Sequence, residues 1–187
     1  MTDRDVMEYD VVIVGAGPAG LSTAIRLKQL KPDLTVCVLE KASAVGAHML
    51  SGCVMEPAAL DALLPDWRKS PPGICVPAKR DEFRYLTRKS AIRLPNPPQM
   101  HNRGNFIVLL GLLVPWMSQQ AEALGADVFP GFSGADALIE DGRVTGIRLG
   151  DMGLGKDGKP GPNYAPGADI RAGTTILAEG CRGSITK

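Results

Sequence analysis

YDVVIVGAGPAGLSTAIRLKQLKPDLTVCVLEK, residues 9–41, is the stretch that decides the fold. Its first run, residues 11–14, is short, apolar and β-branched, which is typical of a strand buried on both faces. A helical pattern follows, in which Ala24 and Leu27 share the inner face. A second β-rich run occupies residues 35–39. The order strand, helix, strand predicts a βαβ unit with parallel strands.

Three glycines follow the first strand at the G-x-G-x-x-G spacing. Gly15 allows the tight turn, Gly17 lets a pyrophosphate approach the backbone, and Gly20 lets the helix pack close to the strand. Pro18 suits the first helical turn because its missing N–H has no helical partner there. The start of the helix then directs free N–H groups and the positive end of its dipole toward phosphates.

Glu40 ends the second strand, about twenty positions after Gly20. A carboxylate at this place accepts hydrogen bonds from a ribose 2′-OH, which a 2′-phosphate would exclude. The alternative is an ordinary strand–helix–strand unit with incidental glycines, and the complete pattern argues against it. The unit is therefore predicted to bind an adenine dinucleotide with a free ribose, FAD or NAD rather than NADP.

Composition excludes several other classes of protein. The chain has 187 residues, is 44% hydrophobic and carries a net charge of +1, so its charge gives no case for nucleic acid binding. No stretch approaches the roughly 20 apolar residues of a membrane-spanning helix. The first ten residues resemble neither a signal peptide nor a transit peptide, so cytosolic synthesis is expected. The cysteines form no C-x-x-C pair and predict neither a zinc site nor an iron–sulfur site: Cys37, Cys53, Cys75 and Cys181.

Residues 42–52 leave the second strand at the cofactor side of the sheet. Their small residues, including Gly46, Ser51 and Gly52, would let the backbone lie against a flat ring or the pyrophosphate. His48 stands among them, and a polar loop histidine is favoured over a catalytic one.

A short helix is predicted at residues 56–64, with Pro57 in its first turn. Trp67 and two cations follow it. Apolar residues, then an aromatic, then cations is the order expected of a segment that dips into a membrane surface. The alternative, a helix packed on the core with a solvated end, is favoured on these residues alone.

An irregular, proline-rich insertion is predicted at about residues 66–105, with short strands at 82–87 and 91–94. A helix beginning near Leu113 or Val114 follows, because Pro115 argues against a much earlier start. Gly125 ends this helix.

The remainder is predicted to be mostly strands. Residues 126–129 form a strand at the sheet edge near the adenine, and a hairpin turns at residues 140–143. Residues 150–173 form a surface connection. A last strand at 174–178, which ends in Ala-x-Gly beside the cofactor, returns the chain to the nucleotide sheet. The residues predicted to contact the cofactor are Val14, Gly15, Ala16, Gly17, Pro18, Ala19, Gly20, Glu40, Lys41, Gly46, Ser51, Gly52, Val128 and Gly180.

The first forty residues resemble FAD-binding enzymes of the glutathione-reductase-like type. Later segments resemble a narrower family, the electron transfer flavoprotein–ubiquinone oxidoreductases, from about Asp10 to the last residue. The segments that carry this resemblance are GAHMLSG at 46–52, NFIV at 105–108, QAEALG at 120–125, GDMG at 150–153, KDG at 156–158 and AEGC at 178–181.

The resemblance implies an α/β, Rossmann-like FAD-binding fold (glutathione-reductase-like) of three layers, with an inserted antiparallel β-meander. The chain, residues 1–187, would be the N-terminal part of this domain and therefore an incomplete domain. The quinone and iron–sulfur regions would be absent. An isolated piece of this kind is expected to be inactive. Pro115 and the short length depart from the family pattern.

The resemblance also implies an activity and partners. Members of the family carry FAD and one [4Fe–4S] cluster, and they pass electrons from reduced electron transfer flavoprotein to ubiquinone at a membrane surface. The cluster is expected only in the missing C-terminal part. Membrane contact is expected from about Val45 to Asp66, with the protein peripheral or monotopic on the cytoplasmic face of a bacterial inner membrane. No catalytic side chain is predicted, because the cofactors carry this chemistry.

Two alternatives remain. One is a related flavin oxidoreductase, FixC-like or geranylgeranyl-reductase-like. The other is an inactive nucleotide-binding fragment.

Overall fold

The structure, a computed structural model, describes residues 4–50, 52–69, 74–155 and 158–187. The chain divides into two compact units. The larger unit comprises Met1–Met49 and Val114–Lys187, and the smaller unit comprises Leu50–Leu113. The predicted insertion at residues 66–105 lies inside the smaller unit, which extends beyond it on both sides.

The described α-helices each lie between two strands and all precede residue 124, and mostly strands follow. In chain order they are β1 (Val6–Val14), α1 (Pro18–Leu30), β2 (Val36–Glu40), β3 (Cys53–Met55), α2 (Ala58–Leu63), β4 (Cys75–Pro77), β5 (Phe83–Leu86), β6 (Ala91–Leu94), β7 (Phe106–Val108), α3 (Leu110–Ala123), β8 (Asp127–Pro130), β9 (Gly134–Glu140), β10 (Arg143–Leu149), β11 (Met152–Leu154), β12 (Pro160–Ala165) and β13 (Asp169–Leu177).

A six-stranded sheet forms the centre of the larger unit, in the order β8-β2-β1-β13-β10-β9. The first four of these strands run parallel, and β10 and β9 run antiparallel to their neighbours. Because β1 lies between β2 and β13, the strand that precedes the glycines is paired on both edges. The predicted βαβ unit, the edge strand β8 and the β9–β10 hairpin are confirmed.

The core of the larger unit lies on both faces of this sheet. Val12 and Ile13 are fully buried, and all five residues of β2 are buried. On one face, eight buried side chains form a continuous cluster: Val12, Val14, Cys37, Leu39, Ile147, Leu149, Ile170 and Ala172. Burial, with a smaller contribution from the charge of Asp127, raises the pKa of the Cys37 thiol to about 12. A thiol of this kind stays protonated and behaves as a small apolar side chain.

Helix α1 packs through a different set of residues from the predicted one. Its buried side chains include Leu21, Ala24 and Ile25, whereas Leu27 is only half-buried. Lys28 is buried on the same side, and its ammonium donates to the backbone oxygen of Leu34 at 2.9 Å. This lysine caps the chain where the helix ends, a position that favours a cation.

Two predicted boundaries are wrong. Helix α3 begins at Leu110, and Pro115 lies inside it. The N–H groups of Leu112 and Leu113 both bond to the Leu109 oxygen, so the first turn is already closed when the proline removes one later bond. The predicted surface connection at 150–173 contains the paired strands β11 and β12 and the first residues of β13.

The smaller unit contains a three-stranded antiparallel sheet, β3-β7-β4, and the two-stranded sheet β5-β6. The strands predicted at 82–87 and 91–94 are confirmed as β5 and β6. Trp67 is 2% exposed and meets Phe106 edge to face, with ring centroids 4.9 Å apart. Its indole N–H donates to Asp61 Oδ1 at 2.6 Å, and Arg68 pairs with the same carboxylate.

The predicted helix at 56–64 is confirmed as α2, but its environment is that of a core element. Leu60 is buried and Leu63 is half-buried, and the aromatic residue that follows α2, Trp67, is buried as well. This arrangement is the core-packing alternative. Within the described ranges, no helix has both the length and the apolar character to cross a bilayer.

Candidate functional site: a nucleotide cavity at the strand ends

The glycine loop is shaped by close contacts on two sides. Gly15 has a φ of +108°, and a Cβ added there would lie 2.5 Å from the backbone oxygen of Ala178. A Cβ at Gly20 would lie 2.0 Å from the backbone oxygen of Gly15. The turn predicted for Gly15 and the close helix–strand approach predicted for Gly20 are thus both present, and Gly15 also admits the end of β13.

Gly17 differs from these two glycines, because its open side is not filled by backbone. Among the described residues other than its two chain neighbours, Met49 alone comes within 4 Å of an added Cβ, with its Cε at 3.5 Å. Gly17 precedes α1, and Pro18 occupies the first position of that helix. A bare backbone at the start of a helix is the arrangement that accepts a phosphate group.

A cavity of about 620 Å³ opens beside this loop in the larger unit. It is bounded by the ends of β1, β2 and β13 and by the segments that follow β2 and β8. Its lining residues are Val14, Gly15, Gly17, Pro18, Ala19, Leu39, Glu40, Lys41, His48, Met49, Phe132, Ser133, Gly134, Leu177, Ala178, Glu179, Gly180 and Ser184. The volume and the position at the carboxyl ends of parallel strands are typical of nucleotide sites.

Eight of the predicted cofactor residues line this cavity: Val14, Gly15, Gly17, Pro18, Ala19, Glu40, Lys41 and Gly180. They come from three places in the chain that meet only because β13 pairs with β1.

The remaining predicted residues are not part of the lining. Ala16 and Gly20 are turned toward protein, the first with no exposed surface and the second against the glycine loop. Val128 pairs with Val38 in the edge strand, so β2 separates it from the glycine loop. Gly46 lies in the bend after β2 with a φ of +85°.

The last two predicted residues do not belong to the described part of the larger unit. Gly52 belongs to the smaller unit and has a φ of +89°. Ser51 lies outside the described residues, as do residues 156 and 157 of the family-like segment KDG.

Glu40 has a structural role as well as a place on the cavity wall. Glu40 is 8% exposed, and its carboxylate accepts the N–H of Ala42 at 2.8 Å and that of Ala16 at 3.2 Å, one on each oxygen. The side chain therefore joins the glycine loop to the segment after β2. Each oxygen has a second lone pair, which leaves capacity for hydroxyl donors.

The sequence predicts that the last strand ends beside the cofactor, and residues 178–180 do line the cavity. Sequence reasoning missed Phe132, Ser133 and Gly134, which follow β8, and it missed Ser184. No spacing rule connects these residues to the glycines, because their approach depends on strand order. His48, interpreted as a loop histidine, lines the cavity and is exposed.

Glu179 is the second carboxylate on this wall. Burial raises the pKa of its carboxyl, but the backbone N–H groups of Ser184, Ile185 and Thr186 outweigh this effect and hold the pKa below its usual value. The group is thus ionised at neutral pH, and its charge is already compensated by backbone donors.

Metal ligands are not grouped anywhere in the residues that the structure describes, since no three His, Cys, Asp or Glu side chains could hold a common ion. The four cysteines are free. The glycine loop and the N-terminus of α1 at the cavity suit the binding of an extended, phosphate-containing molecule.

Comparison with known proteins agrees with this geometry. The profile of the Thi4 family matches residues 2–60, which contain the βαβ unit. Solved flavoenzymes share the fold. A geranylgeranyl bacteriochlorophyll reductase-like protein from Thermoplasma acidophilum superposes with a TM-score of 0.64 at 20% identity, over 92% of this chain and 39% of its own. The Thermovibrio ammonificans THI4 protein gives 0.57 at 17% identity, over 96% and 60%. These similarities confirm the FAD-binding, Rossmann-like α/β fold class.

Closer relatives carry one name. The chain is 51% identical to the mitochondrial electron transfer flavoprotein-ubiquinone oxidoreductase of Dictyostelium discoideum, over 98% of this chain and 31% of that protein. It is 50% identical to the protein of that name from Pseudomonas aeruginosa, over 99% and 35%. The chain thus spans about a third of the length of these relatives and matches their N-terminal part, which confirms the resemblance seen in the sequence.

Proposed function

We propose that this chain, homologous to the N-terminal part of electron transfer flavoprotein–ubiquinone oxidoreductases, is the FAD-binding portion of such an enzyme. The observation that carries the proposal is the cavity in which the glycine loop, Glu40 and the end of β13 meet. In the complete enzyme, electrons would pass from reduced electron transfer flavoprotein to ubiquinone. The names of the relatives support this donor and this acceptor.

The residues present fit the dinucleotide. Gly17 leaves its open side free for a pyrophosphate, and the N-terminus of α1 supplies N–H donors. Glu40 would accept the ribose hydroxyls with the lone pairs that Ala16 and Ala42 leave unused. The lining of Val14, Leu177 and Phe132 would exclude water from the flat rings.

Bound FAD would supply the electron-accepting group, and the chain's own residues would hold and orient it. None of the lining residues is assigned a proton-transfer step, because passage of electrons between redox groups requires position rather than an acid or base. A [4Fe–4S] cluster and the main quinone pocket are proposed to lie in the part of the enzyme that this chain does not include.

Membrane contact is part of the proposal, because ubiquinone is an apolar molecule. Within the predicted segment from Val45 to Asp66, Leu60 of α2 is buried and would not take part in the contact. Leu50 is 88% exposed and Val54 is 47% exposed, so they would serve instead. The β5–β6 hairpin of the same unit exposes further apolar side chains, with Leu86 at 72%.

The proposed location is the cytoplasmic face of a bacterial inner membrane, with peripheral or monotopic attachment. Bacterial relatives of this name support it. Binding of the protein to liposomes, compared with a Leu50→Ser variant, tests the attachment. Equal binding of both proteins would remove Leu50 from the contact.

Flavin binding is tested by titrating the purified protein with FAD and recording quenching of flavin fluorescence. Gly17→Val places a branched side chain where the pyrophosphate would lie and should abolish binding. Ala123→Val adds the same atoms at the exposed end of α3 and should bind as the unchanged protein does. Equal flavin content in Gly17→Val and Ala123→Val would refute the assigned place of the pyrophosphate.

The donor is tested separately. Reduced electron transfer flavoprotein should reduce the flavin of the complete enzyme. The loss of the flavin's visible absorbance measures this reduction. A flavin that binds but is not reduced by this donor would favour a different oxidoreductase with the same fold.

A further inference from the structure

The chain that leaves β13 folds back onto one carboxylate. Glu179 Oε1 accepts the backbone N–H of Ser184 at 2.9 Å, and Oε2 accepts those of Ile185 and Thr186, both at 3.1 Å. The Thr186 hydroxyl also donates to Oε2, at 3.2 Å. Three consecutive backbone donors therefore converge on one side chain, and bonds of this kind to an ionised acceptor are stronger than neutral ones.

The turn between carboxylate and donors is closely packed. A Cβ added at Gly183 would lie 2.1 Å from Thr186 Oγ1 and 2.8 Å from Glu179 Oε2. A substitution at Gly183 would therefore displace the Thr186 hydroxyl and the Glu179 carboxylate. The short turn is thus built around the bonds that Glu179 accepts.

The same segment is anchored to the core by Ile185. This side chain packs against the buried cluster of the sheet, and a Cβ added at Gly134 would lie 2.8 Å from its Cδ1 atom. Glu179 holds the Ile185 backbone while the partly buried Ile185 side chain packs against the core. Two independent contacts therefore determine the path of residues 180–186.

This path forms one wall of the cavity. Glu179, Gly180 and Ser184 line it together with Gly15 and Gly17 of the glycine loop. Because the segment begins where Ala178 already approaches Gly15, a change in its path changes the space in which the cofactor would lie.

We propose, on the basis of the proposed FAD site, that Glu179 is a positioning residue. Its ionised carboxylate holds residues 180–186 as a wall of the cavity, and loss of the charge loosens both the wall and the bound flavin. A neutral amide in its place keeps one oxygen acceptor but turns an N–H₂ group toward the backbone donors.

The sign of the pH effect follows from the direction of the pKa shift. The bonds from residues 184–186 lower the pKa of Glu179 in the folded protein. Their contribution is present above the ordinary carboxyl value, about 4.3, and is lost as the pH falls through the lower folded value. The other titratable side chains described on the cavity wall are Glu40, Lys41 and His48.

Hydrogen exchange tests the wall without any flavin. In Glu179→Gln, the amides of Ser184, Ile185 and Thr186 should exchange at least about tenfold faster than in the unchanged protein. The matched control is Glu140→Gln, since Glu140 at the end of β9 pairs with Arg171 of β13 in the same sheet and does not line the cavity. Unchanged exchange at residues 184–186 in a folded Glu179→Gln protein would overturn the proposal.

A milder variant covers the case in which Glu179→Gln fails to fold. Thr186→Val removes the hydroxyl donor and keeps all three backbone donors. It should raise the hydrogen-exchange rates of the same amides by a smaller factor. Unchanged rates there would also contradict the proposal that Glu179 holds this wall.

Flavin affinity tests the coupling to the site. Glu179→Gln should bind FAD about tenfold more weakly than the unchanged protein near pH 7, and the difference should shrink as the pH falls through the lowered pKa of Glu179, because both side chains are neutral below it. Glu40, Lys41 and His48 are present in both proteins. A change with pH in the difference between the two FAD affinities is therefore due to Glu179. Identical affinities and pH profiles would overturn the coupling. An unchanged protein that takes up no flavin would instead refute the proposed function, and the exchange rates would still decide whether Glu179 holds the wall.

Discussion

The larger and smaller units bury their apolar side chains to different extents. In the larger unit, β1 and β2 are central strands, and every residue of β2 is buried. In the smaller unit, all residues of β5 and β6 are exposed, and the three strands of the other sheet have only three residues each. A sheet with both faces covered gains stability along its whole length, whereas a two-stranded hairpin is marginal by itself.

The difference concerns where the stability of each unit is concentrated. The larger unit distributes it over a continuous cluster that extends across four strands. The smaller unit depends on fewer side chains, and Trp67 is the most buried aromatic among those described. Substitutions in the two units should therefore have effects of very different size.

The largest expected effect is at the centre of the smaller unit. Trp67→Ala removes the ring that packs on Phe106 and leaves Asp61 without its indole donor. The free energy of unfolding should fall by about 3–5 kcal/mol. Urea denaturation followed by circular dichroism measures it, with Trp67→Phe as the control that keeps an aromatic ring. A loss below about 1 kcal/mol would mean that the unit is held by something other than this side chain.

The second prediction compares the two units directly. Ile13 in β1 is fully buried and Ile92 in β6 is 52% exposed. Ile13→Ala should cost about 2–5 kcal/mol of unfolding free energy, and Ile92→Ala should stay within about 0.5 kcal/mol. Denaturation of the two variants measures both losses of unfolding free energy, which are then compared. Equal losses would contradict the contrast between a covered sheet and an exposed hairpin.

The third prediction concerns a buried polar connection in the larger unit. Glu40→Gln turns an amide N–H₂ toward one of the two backbone donors that Glu40 now satisfies. The unfolding free energy should fall by about 1–3 kcal/mol even without cofactor. Glu122→Gln, on an exposed position of α3, is the matched control and should have no measurable effect. A stability equal to that of the control would assign Glu40 to cofactor contact alone.

The smallest effect is expected from acid. Bonds from the side chain of Arg68, and then from the Trp67 indole, hold the pKa of the Asp61 carboxyl below its usual value. Stability from this group is therefore complete above about pH 4 and is lost as the pH falls through the folded pKa. Asp61→Asn should flatten the decline of the melting temperature below about pH 4. An identical decline in both proteins would show that other carboxylates, such as Asp10 beside Thr35, dominate acid unfolding.

Much of the fold could be predicted because it depends on neighbours in the chain. The βαβ unit, the glycine loop, α2, the β5–β6 strands and the β9–β10 hairpin all follow from short-range patterns. The hairpin turn shows this clearly, since Asp141 and Gly142 both have positive φ, as the Asp-Gly pair predicts. The prediction was wrong for residues 150–173, where closely spaced glycines and prolines concealed the paired strands β11 and β12.

By itself, the sequence of residues 9–41 determined that a nucleotide-binding loop lies at the end of β1, because the turn, the close approach at Gly20 and the start of α1 are local requirements. Only the tertiary structure decided what faces that loop. β13 lies beside β1 although more than 150 residues separate their first residues, and this pairing brings Glu179 and Ser184 to the cavity. A spacing rule describes residues that share one turn or one strand, whereas a cavity wall depends on which strands become neighbours in the sheet.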